Sequence, residues 1–140
     1  MSLSTLSAEE IAGNQLLAAI RLWQTKDYLS SLTLAGAAEE ILGKRLRKLN
    51  QDPSFDQLRS LVVAVARSEG ETNPDLEKIT GNMLNNTRNT LKHYCGDDSL
   101  MFDLRSDCLE MLKRAIANYE ALTGTFLAEA MLVWESEREN

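Results

Sequence analysis

The sequence predicts an all-α protein, a compact bundle of five to six helices forming a single domain over residues 1–140. Three observations carry that prediction. Alanine, leucine, glutamate, lysine and arginine dominate while aromatics make up only 6% of the chain, a composition that favours helix. Both prolines, Pro53 and Pro74, fall where helices begin, the position at which proline costs least. Apolar residues recur at steps of three and four, and no stretch alternates convincingly in the manner of a strand.

The first helix starts at Ser7, because Ser7-Ala8-Glu9-Glu10 has capping-box form. Ile11, Leu16, Leu17, Ala19, Ile20 and Trp23 give it an apolar side up to about Thr25, with Trp23 as a core anchor. Asp27 caps a longer helix reaching Leu49, whose seam runs through Tyr28, Leu32, Ala35, Leu42, Leu46 and Leu49. Asp52-Pro53-Ser54 interrupts the chain, and Ser54 to Gln57 reads as a second capping box. Phe55, Leu58, Leu61, Val62 and Val65 supply the apolar residues of the short helix it opens, which ends near Arg67. After a polar loop, Asn73-Pro74 starts a fourth helix that carries Leu76, Ile79, Met83, Thr87 and Leu91 toward the core. Gly96-Asp97-Asp98-Ser99 has turn chemistry. A fifth helix from about Asp103 to Thr123 shows Leu104, Cys108, Met111, Leu112, Ala115, Tyr119 and Leu122 on one side and stops at Gly124. Phe126 to Trp134 makes a last short helix, and the ends, about 1–6 and 136–140, are expected to be flexible.

The charge balance restricts partners. Fifteen lysines and arginines against 21 aspartates and glutamates leave a net charge of −6, which offers no general attraction for a polyanion. Extended tracking along nucleic acid is disfavoured and DNA is not an expected partner, whereas a compact site touching one or two phosphates is compatible with the charge. Lys44, Arg45, Arg47 and Lys48 point in different directions on a helix and sit in its last turns, where cations suit the dipole. Cys95 and Cys108 lack CxxC spacing and the chain has one histidine, so neither a metal site nor a cofactor is expected. Reduced thiols and the lack of any membrane-length apolar run or signal segment point to a cytoplasmic protein with no membrane partner.

The chemistry concentrates in Arg88-Asn89-Thr90-Leu91-Lys92-His93. Asn82, Asn85, Asn86 and Asn89 fall within eight residues of a helix-patterned segment, although asparagine is a poor helix former. On a continuous helix these asparagines share with His93 a face largely opposite the apolar one. A histidine moves protons near neutral pH, and an arginine binds phosphate with a fixed fork of donors. Glu39 interrupts the apolar seam of the second helix, inside its arc, and a buried carboxylate needs a partner. Either it lies at the seam's edge and reaches water, or it meets a cation from another helix, for which Arg88 is the candidate.

Arg88-Asn89-Thr90-Leu91-Lys92-His93 resembles the signature of the HEPN superfamily. In those all-helical domains, an arginine, a polar residue that is often asparagine, and a histidine four to six positions beyond mark the ribonuclease members. The resemblance implies metal-independent RNA cleavage, homodimerisation that brings two motifs to one cleft, and roles as toxins in systems with an antitoxin protein or in defence against phage. It assigns Arg88 to the phosphate, His93 to general acid–base work, Asn89 to positioning the substrate or the histidine, and Glu39 to an acidic position in an earlier helix; Asn85 and Lys92, on the same segment, are candidate substrate contacts beside them. On one straight helix Arg88 and His93 stand about 140° apart around the axis and about 7.5 Å along it. Convergence therefore requires either that the helix loosen near Lys92 or that a two-fold interface bring the motifs together. The competing expectation is a non-catalytic interaction or nucleotide-binding module acting as a homodimer, with His93 closing a helix C-terminus and Arg88 paired for structural reasons.

Overall fold

Helix α2, Tyr28–Lys48, is the axis of the molecule, with α1 (Ala8–Gln24) along one side and α6 (Leu104–Thr123) along another. The computed structural model describes residues 2–96 and 99–138. Among these residues it contains α1, α2, α3 (Ser54–Ser68), α4 (Leu76–Leu84), α5 (Asn86–Lys92), α6 and α7 (Ala130–Arg138), and no strand. Leu16 and Ile20 of α1, Leu32, Leu42 and Leu46 of α2, and Leu112 and Ile116 of α6 are fully buried. Each such side chain contributes about 1.5–3 kcal/mol by leaving water. Ala35 and Ala38 are also buried without exposure, so α2 meets its neighbours over small side chains.

Local chemistry sets most helix ends. Ser7 Oγ accepts from the Glu10 backbone N–H at 3.1 Å while Glu10 Oε1 accepts from the Ser7 N–H at 3.4 Å, closing the capping box. Asp27 and Asp103 cap α2 and α6 by accepting from the N–H groups of Ser30 and Ser106. Gly124 ends α6 in the left-handed region with φ 66°, a conformation that costs glycine little.

Three expectations are corrected. The N-cap of α3 is Pro53, because Ser54 spends both of its groups on α6: its N–H donates to Asn118 Oδ1 at 2.8 Å and its hydroxyl to the Arg114 carbonyl at 3.2 Å. The segment expected as one helix from Pro74 begins at Leu76, after an Asx turn in which Asn73 Oδ1 accepts from the Asp75 N–H, and it breaks at Asn85 into α4 and α5. The helix count is therefore seven among the described residues. Ile79 and Met83, expected inside, lie at the surface, as do Leu61 and Val65 of α3, with Leu61 and Met83 each 61% exposed. The hairpin of α3 and α4 packs mainly on itself and on α6, which leaves the outer apolar face of both helices uncovered.

The C-terminal segment also departs from expectation. Helix α7 continues to Arg138, held by Ser136, whose Oγ accepts from Trp23 Nε1 at 2.8 Å. Trp23 is 3% exposed and packs its ring against Tyr28, so the tail closes over the core anchor. Residues 2–6 are exposed and carry no regular structure, while Met1, Glu139 and Asn140 of the expected flexible ends, and Asp97 and Asp98 of the expected turn, lie outside the described residues. Among the described residues no helix is long and apolar enough to cross a membrane.

Candidate functional site

Glu39 sits on the buried face of α2 with 4% of its surface exposed, the position its place in the apolar seam demands. Two guanidinium groups meet it there. Arg88 of α5 places Nη1 2.8 Å from Oε2, and Arg114 of α6 places Nη2 3.0 Å from Oε1. Three helices are thereby joined through one carboxylate, and the cluster carries two positive charges against one negative.

Arg114 is 6% exposed and does more than pair with Glu39. Its Nη2 donates to Asn85 Oδ1 at 2.8 Å and its Nη1 to the Leu84 carbonyl at 3.3 Å, while its Cζ stands 5.0 Å from the Phe55 ring centroid. These bonds explain the break between α4 and α5. A helix kinks where a side chain inserts into its hydrogen-bond ladder, and Arg114 takes a carbonyl that a continuous helix would have used internally. Asn118, one turn further along α6, fixes the opposite end by donating to the Glu39 carbonyl at 3.3 Å and accepting from the Ser54 N–H.

Arg88 reaches Glu39 by lying across Gly36, where an added Cβ would stand 2.9 Å from Arg88 Cδ. Its side chain keeps 18% exposure and borders a groove of about 280 Å³ with Leu32, Gly36, Leu91 and Lys92. Nε of Arg88 and Nε of Arg114 are both buried without a hydrogen-bond partner, so this cluster holds more donors than its acceptors fill. Lys92 is exposed and approaches Glu40 at 3.7 Å. The Glu40 carboxyl is held below its usual range, chiefly by the hydrogen bond from Lys44 and further by the charges of Lys92, Lys44 and Arg88, against the opposing effect of burial.

His93 is the C-cap of α5 and is exposed, its N–H bonded to the Asn89 carbonyl at 3.0 Å. The helix stays intact from Arg88 through Lys92, so loosening near Lys92 does not occur and the break lies upstream, at Asn85. Within one chain Arg88 points inward to Glu39 while His93 stands at the surface; the structure brings Arg88 and Glu39 together but adds no contact between Arg88 and His93. Asn89 borders a different groove, beside Asn82 and Asn85. Asn85 is turned to Arg114 rather than left on a common stripe with His93.

Sequence reasoning missed Arg114, and periodicity gave little signal for it: at 100° per residue it falls about 60° outside the arc that holds Met111, Leu104, Ala115, Cys108, Tyr119 and Leu112, unlike Glu39, which lies inside its seam. Among the described residues no group of three or more histidine, cysteine, aspartate or glutamate side chains is arranged to hold a metal ion. No protein-family model matches the chain, and no curated protein or solved structure matches it.

Proposed function

We propose that the chain is a HEPN-like endoribonuclease of toxin or defence type, acting as a homodimer, with Arg88 holding phosphate and His93 transferring protons. The observation that carries this reading is the sharing of Glu39 by Arg88 and Arg114. A lone Glu39–Arg88 pair would be neutral, whereas the second guanidinium leaves the cluster positive and Arg88 bound through one nitrogen only. An arginine so placed is fixed in orientation yet keeps donors for an arriving phosphate. Lys92, one turn further along α5, borders the same groove as a second cation, 3.7 Å from the Glu40 carboxylate that also lines it.

Cleavage would run through the ribose 2′-hydroxyl, which DNA lacks. Its oxygen attacks phosphorus, the bond to the 5′-oxygen breaks, one group takes the 2′ proton and another protonates the leaving oxygen, giving a cyclic phosphate and a 5′-hydroxyl. Each chain has a single histidine, so two copies supply the base and the acid together. A surface for the second copy is at hand on α3, where Gln57, Ser60, Leu61, Ala64, Val65 and Ser68 form one exposed face free of charge. Two chains of net charge −6 meet there without direct repulsion. In this reading an antitoxin protein is the partner that restrains the dimer in the cell.

One observation favours a second reading, a non-catalytic interaction module: Glu39 gives Arg88 a complete structural reason to exist. Expression in a bacterial host separates the two. The ribonuclease reading expects growth arrest by wild type and relief by His93→Ala at equal protein level. Equal growth of both strains favours the interaction module.

A further inference from the structure

Asn82 and Asn89 sit on α4 and α5, where asparagine is a weak choice for helix, yet neither side-chain amide bonds to any described residue. Both border one groove of about 540 Å³, together with Asn85, Phe55, Arg59 and Lys78. Gly81 borders the same groove where Phe55 and Arg59 pack close to it, an added Cβ standing 3.4 Å from Phe55 Cζ and 3.6 Å from Arg59 Cδ. Asn85 gives its Oδ1 to Arg114, so only its N–H₂ faces new partners. Arg59 is braced with its Cζ 5.2 Å from the Phe55 ring centroid and its Nη2 3.7 Å from Asp56 Oδ1, and its side chain is one-third exposed. Two carboxylates, Asp75 and Glu77, also border the groove and balance Arg59 and Lys78 in charge.

A groove with equal numbers of cations and anions does not track a phosphate backbone. Its unspent capacity is hydrogen bonding: amides that donate and accept at once, carboxylates that only accept, and a braced guanidinium plane on which a ring can stack. We infer that this groove receives an unpaired nucleobase bearing an exocyclic amino group, adenine foremost. An asparagine amide matches the adjacent amino donor and ring-nitrogen acceptor of adenine. The carboxylates welcome the amino group and repel the carbonyl that uracil presents at the same place. Phe55 and Asn85 also border a smaller groove that Arg88 lines, so a strand whose base enters the first groove can carry its phosphates past the Arg88 cluster. The inference rests on the ribonuclease reading in taking RNA as the ligand, and it adds which bases flank the cleaved bond.

The test is fluorescence anisotropy on the full chain with fluorescein-labelled 2′-O-methyl hexa-adenylate and hexa-uridylate, whose blocked 2′ positions prevent cleavage. Hexa-adenylate is expected to bind at least ten-fold more tightly. Asn82→Ala is expected to weaken hexa-adenylate five-fold or more and leave hexa-uridylate unchanged, without lowering the melting temperature, since alanine is the better helix former. Equal affinity for the two oligomers, binding of neither, or a preference that survives Asn82→Ala would overturn the inference. Adenine preference without cleavage of RNA would keep the groove and remove the ribonuclease; cleavage without preference would do the reverse.

Discussion

A Cβ built on Gly36 would stand 2.9 Å from Cδ and 3.1 Å from Cγ of Arg88, closer than packed side-chain carbons approach. Glycine in mid-helix forgoes about 1 kcal/mol relative to alanine. At this position the missing side chain lets Arg88 lie flat across α2 and end at Glu39, three residues along the same helix face. The close approach of Gly36 and Arg88 thus determines where the guanidinium points.

Gly36→Ala tests that role. The gain in helix propensity and the displacement of the Arg88 stem oppose one another, so folding stability should stay within about 1 kcal/mol of wild type. If the ribonuclease proposal holds, RNA cleavage should fall ten-fold or more, because the Arg88 guanidinium is displaced. Chemical denaturation and a cleavage assay on the same preparation check both halves; unchanged cleavage would mean that the seat at Gly36 does not position Arg88.

The three charged residues should differ in stability cost. Glu39→Gln leaves two guanidinium groups without a counter-charge and should lose about 3–5 kcal/mol. Arg114→Met keeps the Glu39–Arg88 pair but strands Asn85 Oδ1 and the Leu84 carbonyl, a loss of roughly 2–3 kcal/mol. Arg88→Met leaves Glu39 on Arg114 and should cost the least, about 1–2 kcal/mol. Urea denaturation of the set measures the order, and Arg88→Met as the most damaging change would contradict it.

Acid should weaken the link between α2 and α3. Asp56 accepts from Arg47 Nε at 3.0 Å and Arg47 Nη2 at 2.8 Å, and these bonds, with the charges of Arg47 and Arg59, hold its carboxyl below the ordinary value of 3.8. A carboxyl lowered by folding contributes stability above its unfolded pKa and loses it as pH falls through the folded one. Asp56→Asn should therefore lie below wild type by at most about 1 kcal/mol at pH 6, with the gap closing as pH falls below 3.8. A gap that persists at pH 2 would show that the pair acts by packing instead.

The two cysteines should react differently. Cys108 is buried and its thiol is pushed up to about 11, chiefly by burial and against a hydrogen bond with Ser31, so at pH 8 it stays protonated. Cys95 is exposed. Iodoacetamide should label one thiol per native chain at pH 8, and Cys95→Ser should abolish the rapid phase, leaving Cys108 to react only on unfolding. Rapid labelling of Cys95→Ser would contradict the burial of Cys108.

Helix ends governed by neighbouring residues were legible in the sequence. Ser7, Asp27, Asp103 and Gly124 act within a turn of themselves, and each stands where its local chemistry placed it. Glu39 was legible as an anomaly because its angular position depends on α2 alone. The break at Asn85 was not, since its cause is Arg114, 29 positions later on another helix. Ser54 misled for the same reason: Asn118 and Arg114 draw away the groups that a capping box would use. The exposure of Leu61 and Met83 was illegible in kind, because amphipathic spacing identifies an apolar face without saying whether this chain covers it.

Incubation of the purified protein with total RNA in the presence of chelator, wild type beside His93→Ala, tests the ribonuclease proposal most directly. His93 is exposed at the end of α5, so the substitution should leave folding stability within about 0.5 kcal/mol. Cleavage by wild type and its loss in His93→Ala is the predicted result; intact RNA with wild type, or cleavage undiminished in the variant, would contradict it.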